Sequence, residues 1–179
     1  MTRLLLAASV ASLLGIAPAL AQTQTQNQQI SQQDRSFVEQ AAQGGMAEVA
    51  AGNMAMQRGA SPAVREFGRW MVTDHTAMDK TLTGMAEHLG ITVPTAPNAT
   101  QQGQAQRLEG LNGRSFDRAY IAAQVQDHEM VIKVFDTEAN SGTDPRLRFF
   151  AQQALPVLQQ HLAEAQDLQQ MTGGMASSH

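Results

Sequence analysis

From Phe37 to about Gln170, apolar and small residues recur at three- and four-residue spacing in four long blocks. No alternating stretch bounded by turn residues interrupts them, so the periodicity confines the chain to packed helices. Block A runs from about Arg35 to Arg58 and ends at Gly59. Block B opens with Ser61-Pro62, an N-cap followed by proline at the first helical position, and runs to Leu89 with Gly90 as its stop. Its inward stripe is Val64, Phe67, Met71, His75, Met78, Leu82, Met85 and Leu89. Block C, from about Arg114 to Asn140, carries Ile121, Val125, His128, Ile132, Phe135 and Ala139. Block D repeats the start signal with Asp144-Pro145 and continues through Leu147, Phe150, Ala154, Leu158 and Leu162 to Gln170.

The connection between blocks B and C, Ile91 to Asn112, is polar, contains Pro94 and Pro97, and is too long for a tight turn. Block B spans roughly 42 Å at helical rise, and an extended connection of this length reaches up to ~70 Å. It can therefore run back along the bundle. The segment from Gly59 to Phe67 lines up with that from Gly142 to Phe150, an offset of 83 residues, with Gly, Pro, Arg and Phe coinciding and Ser61 and Asp144 in the same capping place. Two related hairpins joined by a long crossover give the expected fold: an all-α, ferritin-like four-helix bundle.

The flanks differ from these blocks. Residues 1–21 have a basic start at Arg3, an apolar stretch from Leu4 to Ile16 and the small-x-small pattern Ala19-Leu20-Ala21, which predicts a secretory signal peptide. Residues 22–34 are rich in Gln and Thr, with Ile30 as one apolar residue, and predict a flexible leader before a bundle domain at 35–170. Residues 171–179, with Gly173-Gly174, predict a fraying tail. The expectation is an exported protein, periplasmic where the organism has two membranes, with no later segment apolar enough to span a bilayer.

The chain has no cysteine, so neither disulfides nor thiolates hold or run the domain. A net charge of −4 gives no electrostatic reason to expect nucleic acid or an anionic membrane as partner. No nucleophile and base stand at a recognisable spacing, and there is no phosphate-cradling loop or dinucleotide fingerprint. The residues do not argue for a hydrolase or a nucleotide enzyme.

Three of the five histidines lie in mid-helix on or beside the inward stripes: His75 in block B, His128 in C and His161 in D. Block A offers Glu48 at a comparable height, within a stripe of small residues, Ala41, Gly45, Gly52 and Ala55, that lets another helix approach closely. Imidazoles and a carboxylate from facing helices suit a transition metal, Zn, Fe, Mn or Cu. Asp74 and Asp127 precede two of the histidines and point about 100° away from those rings, as acceptors for neighbouring imidazoles or toward solvent. The competing reading is a structural polar network in which each ring is satisfied by a carboxylate or water. The di-metal pattern of two Glu-x-x-His helices plus two further Glu is absent. Met71, Met78 and Met85 form a heptad-spaced row beside His75, which suits Cu(I) or, more ordinarily, adaptable core filling. His88 falls in the last turn of block B, where the helix dipole favours a cation. The arginines near helix starts, among them Arg65, Arg69, Arg114 and Arg118, are expected to pair with Glu66, Asp117 and similar neighbours on the surface.

The segments Phe37 to Glu48, Val64 to His75, Phe116 to Tyr120, Gln126-Asp127-His128 and Leu155 to His161 together resemble an exported bacterial family called domain of unknown function 4142. The resemblance covers about Phe37 to Gln170. It implies a ferritin-like fold in the envelope, without a settled activity, and its motif positions are Glu48, Asp74, His75, Asp127, His128 and His161. Members are often labelled outer-membrane or periplasmic proteins, and no barrel strands or lipid-facing helix can be read here to support the outer-membrane label. Two functions remain open at this point. One is a bundle binding a transition metal through the His/carboxylate cluster in envelope or stress homeostasis. The other is a metal-free helical interaction protein whose cluster fixes helix register and which meets an envelope partner.

Overall fold

The computed structural model describes residues 30–174, and these are all-α. Five helices follow one another: α1 Gln32–Arg58, α2 Pro62–His88, α3 Ala99–Glu109, α4 Gly113–Ser141 and α5 Pro145–Gly174. The signal and residues 22–29 of the leader lie outside the described residues, as do residues 175–179 of the tail.

Three boundaries differ from the sequence expectation. Helix α1 begins inside the span assigned to the leader, because Ser31 and Asp34 form a reciprocal capping box that satisfies two backbone donors. Asp34 is fully buried and Ile30 packs on the core, so this end is anchored. The connection expected to be irregular carries α3, opened by a second capping box between Asn98 and Gln101. That helix buries little beyond Leu108, and a helical stripe is correspondingly faint in its sequence. Helix α5 runs past Gln170 to Gly174 and tolerates Pro156 in its interior.

Ser61 does stand at the N-cap of α2, but its side chain makes no capping bond. Its backbone N–H donates instead to Asp117 of α4 at 2.9 Å, and Ala60 N–H donates to the same carboxylate at 3.0 Å. Asp117 is therefore not the surface ion-pair partner expected from sequence; it pins the α1–α2 turn. At the opposite end Asp34 of α1 accepts from Thr143 N–H at 2.8 Å, from the Thr143 hydroxyl and from Asp144 N–H, pinning the α4–α5 turn. Asp144 in turn caps α5 by accepting from Arg146 and Leu147 N–H.

These bonds set the chain direction. The start of α1 touches the end of α4, and its end, through Arg58, donates to Glu109 and sits beside the start of α4. Helices α1 and α4 are thus antiparallel, α2 and α4 run the same way, and the α2–α4 connection returns along the molecule with α3 lying against α1 and α4. Gly90, at φ 64°, supplies the left-handed turn that stops α2. Within the first hairpin the small-residue stripe does close the helices together: a Cβ on Gly52 would stand 2.6 Å from the Gly68 carbonyl oxygen.

The 83-residue echo is a relation in space. Asp34 and Asp117 differ by that offset, and so do the turn residues each one binds, Thr143 and Asp144 against Ala60 and Ser61. Each half clamps the other half's turn. Two apolar clusters follow the same rule. Phe67 and Tyr120 in one have ring centroids 6.2 Å apart, and their counterparts Phe150 and Phe37 in the other are also 6.2 Å apart. Val64 and Ile121 sit in the first cluster where Leu147 and Val38 sit in the second. The polar middle of the bundle lies between these clusters.

Candidate functional site

Helices α2, α4 and α5 bring His75, His128 and His161 together, with relative exposures of 5%, 0% and 1%. Ring centroids lie 5.8 Å apart for His75–His128, 5.5 Å for His75–His161 and 5.4 Å for His128–His161. One nitrogen from each ring falls within 4.8 Å of the others. Each of the three sits mid-helix on a stripe that must face inward to bury its apolar neighbours, which is why the rings meet.

Hydrogen bonds orient two of the rings. His128 Nδ1 lies 3.0 Å from the Gln124 carbonyl oxygen, which can only accept, so Nδ1 carries the proton and Nε2 keeps its lone pair. His161 Nε2 donates to Asp74 Oδ2 at 2.9 Å, which leaves Nδ1 as the free acceptor. His75 Nε2, His128 Nε2 and His161 Nδ1 are all buried without a hydrogen-bonding partner. Asp74, from the turn beside His75, thus serves the neighbouring ring on α5 rather than its own, the geometry of a carboxylate–histidine–metal relay.

Burial is the main reason that all three rings favour the neutral form. It holds His75 well below the ordinary imidazole range, with His128 and His161 adding repulsion between positive charges. It lowers His128 to about 4, again with repulsion from His161, against a small opposing effect of the Gln124 bond. His161 is also lowered by burial, and Asp74 opposes the shift. Neutral imidazoles with free lone pairs are the state a metal ion requires.

Glu48 lies outside this group. Its Oε2 accepts from the Gln124 amide at 2.6 Å, and burial, helped by the nearby Asp127 charge and opposed by that hydrogen bond, pushes its carboxyl up to about 8. Asp127 meets no imidazole; it accepts from Gln104 of α3 at 3.4 Å and is itself raised by burial. Gln124 was missed from sequence. It is 1% exposed and joins the two sets, its amide on Glu48 and its carbonyl on His128. Its place one turn before His128 was the available signal.

Met71 is fully buried in one apolar cluster, while Met78 and Met85 pack against the other, so the methionine row is core filling. His88 is exposed, its Nδ1 2.7 Å from the Gly84 carbonyl oxygen. Among the surface arginines Arg69 pairs with Glu66, whereas Arg65 donates to the Gly59 and Ala60 carbonyls.

Shifting the triad by 83 residues names its counterparts in the other half: Leu158 for His75, Gly45 for His128 and Met78 for His161. All three line a cavity of about 160 Å³, with Glu48, His75, Asp79 and Asp127 also on its lining. Where one half carries imidazoles, the other has small or apolar residues and open space.

A family model described as Domain of unknown function (DUF4142) matches residues 19–168. No curated protein and no solved structure matches the chain.

Proposed function

The chain belongs to the family described as Domain of unknown function (DUF4142), a description that assigns no activity, and from that premise we propose that it is an exported, ferritin-like bundle holding one transition-metal ion on His75, His128 and His161. The carrying observation is the convergence of three buried, unpartnered imidazole nitrogens from three helices. A tetrahedral zinc with bonds of about 2.0–2.1 Å holds its nitrogens roughly 3.3 Å apart, so the rings need only small rotations to close on an ion. Three neutral nitrogens suit Zn, Cu or Fe, and three protein ligands leave a coordination position for a further group. Glu48, which meets Gln124, is not needed as a ligand. The ferritin-like assignment draws support from the parallel α2 and α4 joined by the long return connection. Export and a periplasmic place draw support from the signal-like residues 1–21.

The test is elemental analysis of mature protein purified without a histidine tag, then Zn, Fe, Mn and Cu titration of stripped protein. Trp70, the single tryptophan, has its ring centroid 6.0 Å from that of His161 and gives a fluorescence readout. One metal per chain is expected, lost in His128→Ala and bound about 10- to 100-fold more weakly in Asp74→Asn, where only the outer hydrogen bond changes. No saturable metal in wild type would leave the triad as a structural network.

A further inference from the structure

The cavity beside the triad has a lining that, His75 apart, the metal reading does not use. Its volume of about 160 Å³ is close to that of an apolar cavity of ~150 Å³ that takes up benzene. Leu82, Val131, Phe135 and Phe150 give it apolar sides, while three carboxylates, Glu48, Asp79 and Asp127, stand on the same lining with no lysine or arginine among them. Glu48 is 8% exposed. Asp79 is folded in against Gly45 so closely that a Cβ there would stand 1.9 Å from its Oδ1, so the missing side chain at the counterpart of His128 makes room for it.

A second feature points the same way. His75, 5% exposed, lines the cavity too and adds no charged cation beside the three acids. The charge balance is then one-sided: three acids and no lysine or arginine, with the amides of Gln40, Asn98 and Gln101 as further polar groups. Glu48 is buried and Asp79 and Asp127 are half-buried; acids withdrawn from water without a counter-charge are costly, and a guest carrying N–H donors and a positive charge relieves that cost. An inorganic ion is a poor guest. Among the described residues only the three histidines gather ligand atoms closely enough to hold one, and the apolar sides offer nothing to a hydrated ion. Asn98 and Gln101, the capping box of α3, stand on the lining as well, which gives this helix a place in the site.

We propose that the cavity binds a small organic cation, a primary ammonium on an apolar body of about five carbons, with the ammonium among Glu48, Asp79 and Asp127 and the body against Leu82, Phe135 and Phe150. The ammonium donates up to three hydrogen bonds to this set of acceptors. The site does not depend on an ion at the triad.

The experiment is isothermal titration of metal-stripped mature protein with n-pentylammonium, with n-pentanol as the neutral match in size and Mg²⁺ as the inorganic control. Saturable binding of one pentylammonium per chain is expected, with pentanol at least about tenfold weaker, since charge-assisted hydrogen bonds are roughly twice as strong as neutral ones. Gly44→Leu should abolish the binding. Gly44 lines the cavity, a Cβ there meets only Gln101 Nε2 at 4.0 Å, and leucine favours the helix, so this variant is expected to fold. Asp79→Asn should weaken pentylammonium and leave pentanol unchanged. Equal binding of pentanol and pentylammonium, binding that survives Gly44→Leu, or displacement of pentylammonium by Mg²⁺ would each overturn the proposal. Zinc titration of Gly44→Leu separates the two sites: wild-type zinc binding with lost ammonium binding is the expected pair. A wild type that takes pentylammonium but no metal sinks the metal reading alone.

Discussion

The triad and the cavity occupy equivalent places in the two halves of one fold, yet one is filled with imidazoles and the other is open. The surrounding frame is the same in both: a carboxylate from each half clamps the opposite turn, and an aromatic pair at 6.2 Å closes each end. The middle diverges: His75, His128 and His161 stand against Leu158, Gly45 and Met78, and Glu48 and Asp127 against Val131 and Gly44. Turn staples and end clusters thus recur in both halves while the middle diverges between them. Polar groups there add little to stability, because each must recover its desolvation through a partner.

The largest effect should come from making the triad resemble its counterpart. His161→Met removes one ligand and matches the residue at Met78. In wild type, free zinc at a thousand times Kd should raise stability by about 4 kcal/mol, seen as a shift in melting temperature, and in the variant the shift should vanish. A persistent shift would mean that the ion sits elsewhere.

Acid should separate the two regions next. The folded pKa of His128, about 4, lies below its ordinary value of 6.5, so between these limits the unfolded chain takes up more protons than the folded one. Metal-free stability is then unpenalised above pH 6.5 and falls as pH drops toward 4, by roughly 3 kcal/mol for a shift of this size. Glu48, at the cavity, carries the opposite sign. Raised from 4.5 to about 8, its contribution is complete below pH 4.5 and is lost as pH rises through 8. Denaturation of His128→Gln should show a shallower acid limb, and of Glu48→Gln a shallower alkaline one. Unchanged limbs would contradict the burial assigned to these groups.

The frame offers a test of its own symmetry. Asp34→Ala strips the Ser31, Thr143 and Asp144 N–H groups of their acceptor and Asp117→Ala those of Ala60 and Ser61, so Asp117→Ala should cost about 2 kcal/mol and Asp34→Ala at least as much. Because the staples stand at opposite ends, the double variant should show the sum in urea denaturation. A marked departure from additivity would mean that the halves are coupled through the middle. Thr143 and Ser31 hold the Asp34 carboxyl down at about 2 against burial, which by itself would raise it. Its contribution should therefore survive until strongly acid pH.

The smallest effect is expected on the cavity side. Met78→Leu conserves volume where His161 has its counterpart, so it should cost less than about 1.5 kcal/mol and leave zinc binding unchanged. A loss of zinc on this change would break the separation between triad and cavity.

Four of the five helices, their pairing in two hairpins and the inward placement of three histidines were legible from the residues alone, because helical periodicity dictates which face is buried before any neighbour is known. The echo at Gly59 and Gly142 was legible for the same reason, being local grammar of caps and turns. Helix α3 was not: it buries almost nothing but Leu108, so capping alone marks it, and the residues before it contain two prolines. Only the tertiary structure decided which polar groups meet. Asp117 has the form of a surface acid in sequence and becomes a turn clamp through residues 57 positions away. Glu48 shares the height of the histidines but is held by Gln124, and Asp74 serves His161 across 87 residues. Partnerships of this kind depend on the rotation of each helix about its axis and on the side-chain rotamer. Height along a helix follows from counting residues, but rotation is settled only when all the faces pack at once.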